Sequence, residues 1–228
     1  QHVIIAFWGC VLAGVVPVCL NCAPSYNSAN SQLDKCNGVV DDFELSSILT
    51  SRSLLDSVTS LKSLAAKTDI KVLTIEALSA SSDTFEKPAL IATDTAAMFL
   101  TSGSTGTPKG VPQSHRTMLS MAAGTAAMNG FSDNDVSLNW MSMDHAGALV
   151  FLGITPLLVG ARQIHVPIDY ILKQPLRWLE LIDRYAATIS WAPNFVFSLL
   201  LSKESLIKRA GWNLQTMRFM VNAGEPVV

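Results

Sequence analysis

The sequence predicts an α/β fold, parallel-sheet-rich, with helices packed on the sheets. Two observations predict it. Short apolar runs alternate along the chain with stretches whose apolar residues recur at helical spacing, the order that strand–helix–strand crossovers require. In addition, 49% of the 228 residues are apolar and only 15% are charged. A soluble domain usually carries roughly a quarter charged residues, so this chain has ample material for a core and for surface that further chain would cover.

Taken in order, residues 3–13 suit a buried helix and 15–20 a buried strand, with Gly14 and Pro17 dividing them. Residues 47–50 read as a short strand. Leu54, Val58, Leu61 and Ala65 then recur at helical spacing, and 70–75 reads as the next strand. Residues 79–88 are polar and irregular, a surface loop. A short apolar strand at 96–100 runs directly into a Gly/Ser/Thr loop, followed by a helix over 114–128 and a strand over 136–140. Residues 146–159 are apolar on nearly all sides, which fits a buried helix or hairpin, and 162–166 forms another strand. Pro175 suits a first helical turn, and Leu176, Leu179, Ile182 and Ala186 line one face behind it. A strand at 188–191, a helix at 194–201 and a strand at 217–221 complete the pattern.

Composition excludes several functions. The net charge is −2, from 16 basic and 18 acidic residues, and no basic run or stripe offers a nucleic acid a footing. The apolar stretch 2–20 lacks the basic segment that precedes a signal peptide, and Gly14 and Pro17 interrupt it, so no membrane span is expected. Cys19 and Cys22 form a C-x-x-C, but no second pair or suitably spaced histidine completes a zinc site. Buried thiols in a reducing, cytoplasmic setting are expected of Cys10, Cys19, Cys22 and Cys36. The chain opens on Gln1 and stops after a strand-to-turn passage at 222–228, which suggests a piece of a longer protein.

The chemistry concentrates in Leu100-Thr101-Ser102-Gly103-Ser104-Thr105-Gly106-Thr107-Pro108-Lys109-Gly110. Glycines allow tight turns and a close approach of backbone to ligand. The hydroxyls of Thr101, Ser102, Ser104, Thr105 and Thr107 can donate to phosphate oxygens. Successive N–H groups can form an anion nest, and Lys109 adds one mobile positive charge. Together these make a polyphosphate cradle. It is not the common P-loop, which needs G-x-x-x-x-G-K-[ST]; here Lys109 follows Pro108 and precedes Gly110.

Thr101 to Gly110 resembles the phosphate-loop signature of the adenylate-forming (AMP-binding) superfamily: acyl-CoA synthetases, luciferase-like ligases and peptide-synthetase adenylation domains. Other segments agree in order. Phe7-Trp8-Gly9-Cys10 through Pro17-Val18 resembles the family's early helix–strand stretch. Ser114-His115 follows the loop where the family often has a histidine. Asp144-His145-Ala146-Gly147 resembles the His-and-Gly motif at the acyl pocket, and Asn222-Ala223-Gly224-Glu225 the turn against which adenine packs. The stretch 191–200, WAPNFVFSLL, is similar to ligase domains that load polyketide or mixed peptide–polyketide synthases. The likeness is weakest over 27–87.

The resemblance implies an enzyme in which a carboxylate attacks the α-phosphate of ATP, giving acyl-AMP and pyrophosphate, before coenzyme A or a phosphopantetheinyl carrier protein takes the acyl group. It implies that Thr101, Ser102, Gly103, Ser104, Thr105, Gly106, Thr107 and Lys109 cradle the β- and γ-phosphates. Gly224 and Glu225 would border adenine, and His145 would sit near the reacting carboxylate; a packed or hydrogen-bonded histidine is the alternative for His145. With histidine at the acyl motif the acid lacks an α-ammonium, a fatty or other non-amino acid; a shift of register would let Asp144 pair an amino acid instead. The whole chain, 1–228, would be part of the family's large N-terminal domain, without the C-terminal lid domain. Beyond Val228 the family carries an aromatic-Gly-x-Thr-Glu motif whose Glu helps bind Mg²⁺, an Asp for the ribose, and a lid that delivers a catalytic Lys. The isolated chain is therefore expected to form acyl-AMP at no useful rate. A non-catalytic nucleotide-binding remnant is the other reading.

Overall fold

A computed structural model of the chain describes residues 2–81, 85–101, 108–224 and 226. It divides into two compact units, Gln1–His115 and Arg116–Val228.

The first unit opens with helix α1 (His2–Leu12). The expected helix is present, but only Phe7 and Val11, one turn apart, are buried, while Val3, Ile5 and Leu12 are exposed. Gly14 (φ +70°) ends it. The strand expected at 15–20 reduces to a single parallel bridge, Val18 with Met98, beside a bond from the Met98 N–H to the Pro17 carbonyl (3.0 Å). Pro17 has no N–H to extend a ladder. Helix α2 (Ser31–Asp42) falls where no element is expected. Its signal was nevertheless present: Asn30 caps it, accepting the Leu33 N–H (2.9 Å). At its other end the Lys67 ammonium donates to the Val40 and Asp41 carbonyls.

Strands β1 (Ser47–Thr50) and β2 (Lys71–Thr74) pair in parallel. The helix expected between them is broken into a 3-10 turn, Arg52–Leu54, and two short helices, α3 (Leu55–Thr59) and α4 (Lys62–Ala65). Helix α5 (Ile75–Ser79) follows β2. Cys36, Val40, Val58, Leu61 and Ile70 form the local core. No disulfide joins the four cysteines. Of the four thiols expected to be buried only Cys36 is; Cys10 and Cys19 are half-buried and Cys22 is exposed, and burial pushes the Cys10 thiol up.

Strand β3 (Thr95–Thr101) matches the apolar run, but its partner β4 (Lys109–Ser114) is unexpected and antiparallel. Gly110 and Pro112 mask it, both being poor strand residues. A Cβ on Gly110 would stand 2.6 Å from Phe43 Cε1 and 2.8 Å from Met98 Sδ. This glycine is needed because Phe43 lies on the hairpin backbone.

The second unit is a doubly wound sheet. Helix α6 (His115–Asn129) leads in, with the His115 N–H on the Asp94 carbonyl (3.1 Å). Gly130 (φ +61°) closes α6, and the Phe131 N–H returns to the Ala126 carbonyl (3.0 Å). Strands β5 (Val136–Asn139), β6 (Arg162–His165), β7 (Ile189–Ala192) and β8 (Phe219–Asn222) are all parallel, in the order β6-β5-β7-β8. The apolar stretch after β5 is a helix, not a hairpin: α7 (Ala146–Leu149), a wider π turn (Val150–Ile154) and α8 (Thr155–Leu158). Helices α9 (Ile168–Leu172) and α10 (Leu176–Tyr185) lead to β7, and α11 (Asn194–Leu201) and α12 (Glu204–Ala210) to β8. One face of the sheet packs Leu138 and Ala192 against Trp178, Ile182 and Val196. The other packs Ile189, Trp191 and Phe219 against Phe151, Leu152 and Phe131. The first core holds a buried relay: the Trp178 indole N–H donates to Ser190 Oγ (2.9 Å), whose hydroxyl donates to the Leu138 carbonyl (2.7 Å).

The amino ends of the strands meet at Asp135, which is 1% exposed. Its carboxylate accepts from the Thr188 hydroxyl (2.7 Å), the Ser132 N–H (3.0 Å) and Arg218 Nη1 (2.7 and 2.9 Å). Thr188 Oγ1 in turn accepts the Val136 N–H (2.9 Å). Arg218 also donates to the Asn129 and Gly130 carbonyls (3.3 and 3.2 Å). Burial alone would push the Asp135 carboxyl up; the bonds from Thr188, Ser132 and Arg218 outweigh it and hold the group below its ordinary value.

Because the folded-state value is depressed, the stability Asp135 contributes is present above the unfolded value of about 3.9 and is lost as pH falls through the folded one. Asp135→Asn is expected to lower the unfolding free energy by about 2 kcal/mol at neutral pH and to flatten the acid limb of stability against pH, both read by urea denaturation. Gly110→Ala is expected to cost roughly 1–3 kcal/mol through overpacking against Phe43, read the same way.

Candidate functional site

The phosphate-loop reading is flanked by the ends of β3 and β4. Ser102, Gly103, Ser104, Thr105, Gly106 and Thr107 lie outside the described residues, as does Glu225. Thr101 and Lys109 close the hairpin as the last register pair. The Thr101 hydroxyl donates to the Lys109 carbonyl (3.4 Å). Pro108 is buried, with its Cδ 3.8 Å from where a Cβ on Gly38 would stand, so the segment leaving the loop is seated on α2. Lys109 is exposed. The stem is therefore anchored by register and by a buried proline, while its lysine reaches solvent, where it can meet an anion.

The second group of predicted residues gathers at the carboxyl edge of the four-stranded sheet. Strands β5 and β7 are neighbours whose onward connections leave in opposite directions, β5 toward β6 and β7 toward β8. Such a switch point opens a crevice at the strand ends, where ligands of open α/β sheets bind. His145 and Gly147 follow β5, Asn194 follows β7, and Ala223 and Gly224 follow β8. His145 caps α7, its Nδ1 accepting the Ala148 N–H (3.2 Å). That bond requires an unprotonated Nδ1, which puts the proton of the neutral ring on Nε2. His145 is thus hydrogen-bonded as one reading held, and it remains exposed with a donor to offer. Gly224 adopts φ +102°, a conformation side chains rarely accept. His165, on β6, bonds Gln163 (3.1 Å), and burial holds it below its ordinary value.

Trp191 was not singled out as a site residue, yet it joins these parts. Its ring meets His145 edge to face at 5.7 Å and Phe151 at 5.9 Å. A Cβ on Gly147 would stand 2.7 Å from its Cη2, so only glycine lets the indole lie there. Its N–H donates to the Ala223 carbonyl (3.2 Å). On the neighbouring strand Asn222 Nδ2 donates to Asn194 Oδ1 (2.9 Å), and Asn222 Oδ1 is buried without a partner among the described residues. The available signal was a bulky aromatic at a strand's carboxyl end, opposite a motif glycine that sequence spacing could not place beside it.

Among the described residues no group of three or more His, Cys, Asp and Glu could hold a metal ion. No described helix is long and apolar enough to cross a membrane.

The chain is 34% identical over 233 residues to atromentin synthetase greA of Suillus grevillei, a match covering 98% of this chain and 23% of that protein. It therefore spans about a quarter of that relative's length. Among solved structures, McyG A-PCP complexed with phenylalanyl-adenylate matches with a TM-score of 0.94 and 43% identity, over 100% of this chain and 36% of that one. The adenylation domain of a keto acid-selecting NRPS module bound to keto acyl adenylate matches with a TM-score of 0.92 and 36% identity, over 100% of this chain and 42% of that one. The pattern of one family, described as AMP-binding enzyme, matches residues 1–228, and the chain belongs to that adenylate-forming family.

Proposed function

We propose that this chain is the ATP- and acid-binding part of a ligase that converts a carboxylic acid to an acyl-adenylate and passes the acyl group to the thiol of coenzyme A or of a phosphopantetheinyl carrier protein. The observation that carries the reading is the family match along the whole chain. In the reaction a carboxylate oxygen bonds to the α-phosphorus, and the bond from that phosphorus to the pyrophosphate oxygen breaks. The loop from Thr101 to Lys109 offsets the charge that collects on pyrophosphate as it leaves, an electrostatic role suited to an ammonium and hydroxyl donors. Gly224 and Glu225 border the adenine. His145 serves as a hydrogen-bond donor through Nε2 to an oxygen of the acid or its adenylate. Mg²⁺ enters with ATP, and no step is assigned to it here. The whole chain is read as part of the large N-terminal domain.

The acid favoured is a fatty or other non-amino acid. His145 at the acyl motif supports this, as does the likeness to a keto acid-selecting module. Asp144 beside it favours a second reading, in which an amino acid is activated; the likeness to McyG, complexed with phenylalanyl-adenylate, points the same way.

Lys109→Ala is expected to weaken Mg-ATP binding to the chain about tenfold or more, the value of a charge-assisted bond to phosphate, measured by titration calorimetry. In the full-length protein carrying this sequence, acid-dependent ATP–pyrophosphate exchange is expected with 2-keto or fatty acids. Exchange with α-amino acids alone would transfer the acid-pairing role to Asp144. ATP binding with no exchange for any acid would mark a remnant, and no ATP binding would overturn the reading.

A further inference from the structure

We infer that the indole N–H of Trp191, seated against the acyl motif, positions the turn at 223–224 and so sets nucleotide affinity. The inference rests on the reading that this turn receives adenine. Strand β8 leaves the ladder at Asn222, the last residue paired with β7. Beyond it the Ala223 N–H reaches the Ala192 carbonyl only at 3.4 Å, and at Gly224 the backbone turns away with φ +102°. The turn thus begins where regular pairing ends, and side chains must hold it. Two do so, from opposite faces of the sheet. On the α11 side Asn194 Oδ1 accepts from Asn222 (2.9 Å). On the other side Trp191 donates to the Ala223 carbonyl (3.2 Å).

Trp191 can fix the turn because the ring itself is fixed. It rests on the Cβ-less Gly147, with His145 and Phe151 against it edge to face. A ring seated on three sides presents its single donor in one direction. The turn is therefore referenced to the α7 N-terminus, which carries His145, and not to β8 alone.

The test uses the chain itself, with Mg-ATP and Mg-tripolyphosphate as probes in titration calorimetry. Trp191→Phe keeps a ring over Gly147 and removes the N–H. It is expected to weaken ATP about fivefold, the loss of one neutral hydrogen bond, and to leave tripolyphosphate unchanged. Gly147→Ala, which displaces the indole without removing its N–H, is expected to give the same selective loss and serves if Trp191→Phe does not fold. Unchanged ATP affinity in both variants would overturn the inference while leaving the proposed function standing. Equal weakening of both probes would also overturn it, since Trp191 would then act through general packing. If the unaltered chain binds neither probe, the inference falls together with the reading it rests on.

Discussion

The buried carboxylate of Asp135 is the interaction on which the second unit depends. It sits where β5 begins, and its partners Thr188 and Arg218 immediately precede β7 and β8. Three parallel strands are thereby tied at their amino ends, with the C-terminal end of α6 added through Arg218. Parallel strands have no tight hairpins to set their stagger, so a polar node can do that work. A buried charge is costly unless it is well satisfied, and this one is satisfied by side chains and backbone from several elements. With the amino edge tied, loops at the carboxyl edge can carry unusual backbone, such as Gly224 in its positive-φ conformation, without loosening the sheet.

A second constraint recurs in each unit separately: a glycine beneath an aromatic ring at the base of a functional segment. Gly110, next to Lys109, lies under Phe43, and Gly147, next to the His145 cap, lies under Trp191. In both places the missing Cβ makes room for a ring, and the ring restrains the backbone from which the functional side chain projects. Glycine usually signals conformational freedom. Here neither residue adopts a positive φ, and the requirement is one of space. Interiors are packed too closely to take up a methyl at such contacts without displacement.

This explains what was legible in the sequence and what was not. The four strands of the second unit and the helix at 194–201 lie within a few residues of the sequence pattern, because turn residues bound them; β7, β8 and the helix are also mostly apolar, whereas β6 has only Ile164 within its bounds. The first unit was read less well. Strand β4 carries Gly110 and Pro112, and its identity comes from pairing with β3, which no local pattern reveals. Helix α2 is weakly apolar and was passed over although Asn30 announced its cap. Residues 146–159 read equally as helix or hairpin because an all-apolar run has no period to read. At the carboxyl edge of the sheet, the motif resemblance points to His145 and Gly224 but not to Trp191. Its importance lies in contacts with residues far along the chain, and Gly147 was read as a motif letter when it is also the floor under that ring.

The helix cap at His145 narrows the chemistry further. A histidine near a carboxylate and a phosphate could act as base, acid or donor. Here Nδ1 is committed to the Ala148 N–H, so removing a proton from substrate through that nitrogen would require breaking the cap. In the neutral ring that cap leaves Nε2 as the donor. A carboxylic acid at neutral pH is already ionised, so adenylation needs no base to activate it; it needs donors that hold a carboxylate oxygen against phosphorus while negative charge moves toward pyrophosphate. In the proposed reading, a capping histidine whose ring meets Trp191 edge to face fits that use, because its orientation is set before substrate arrives.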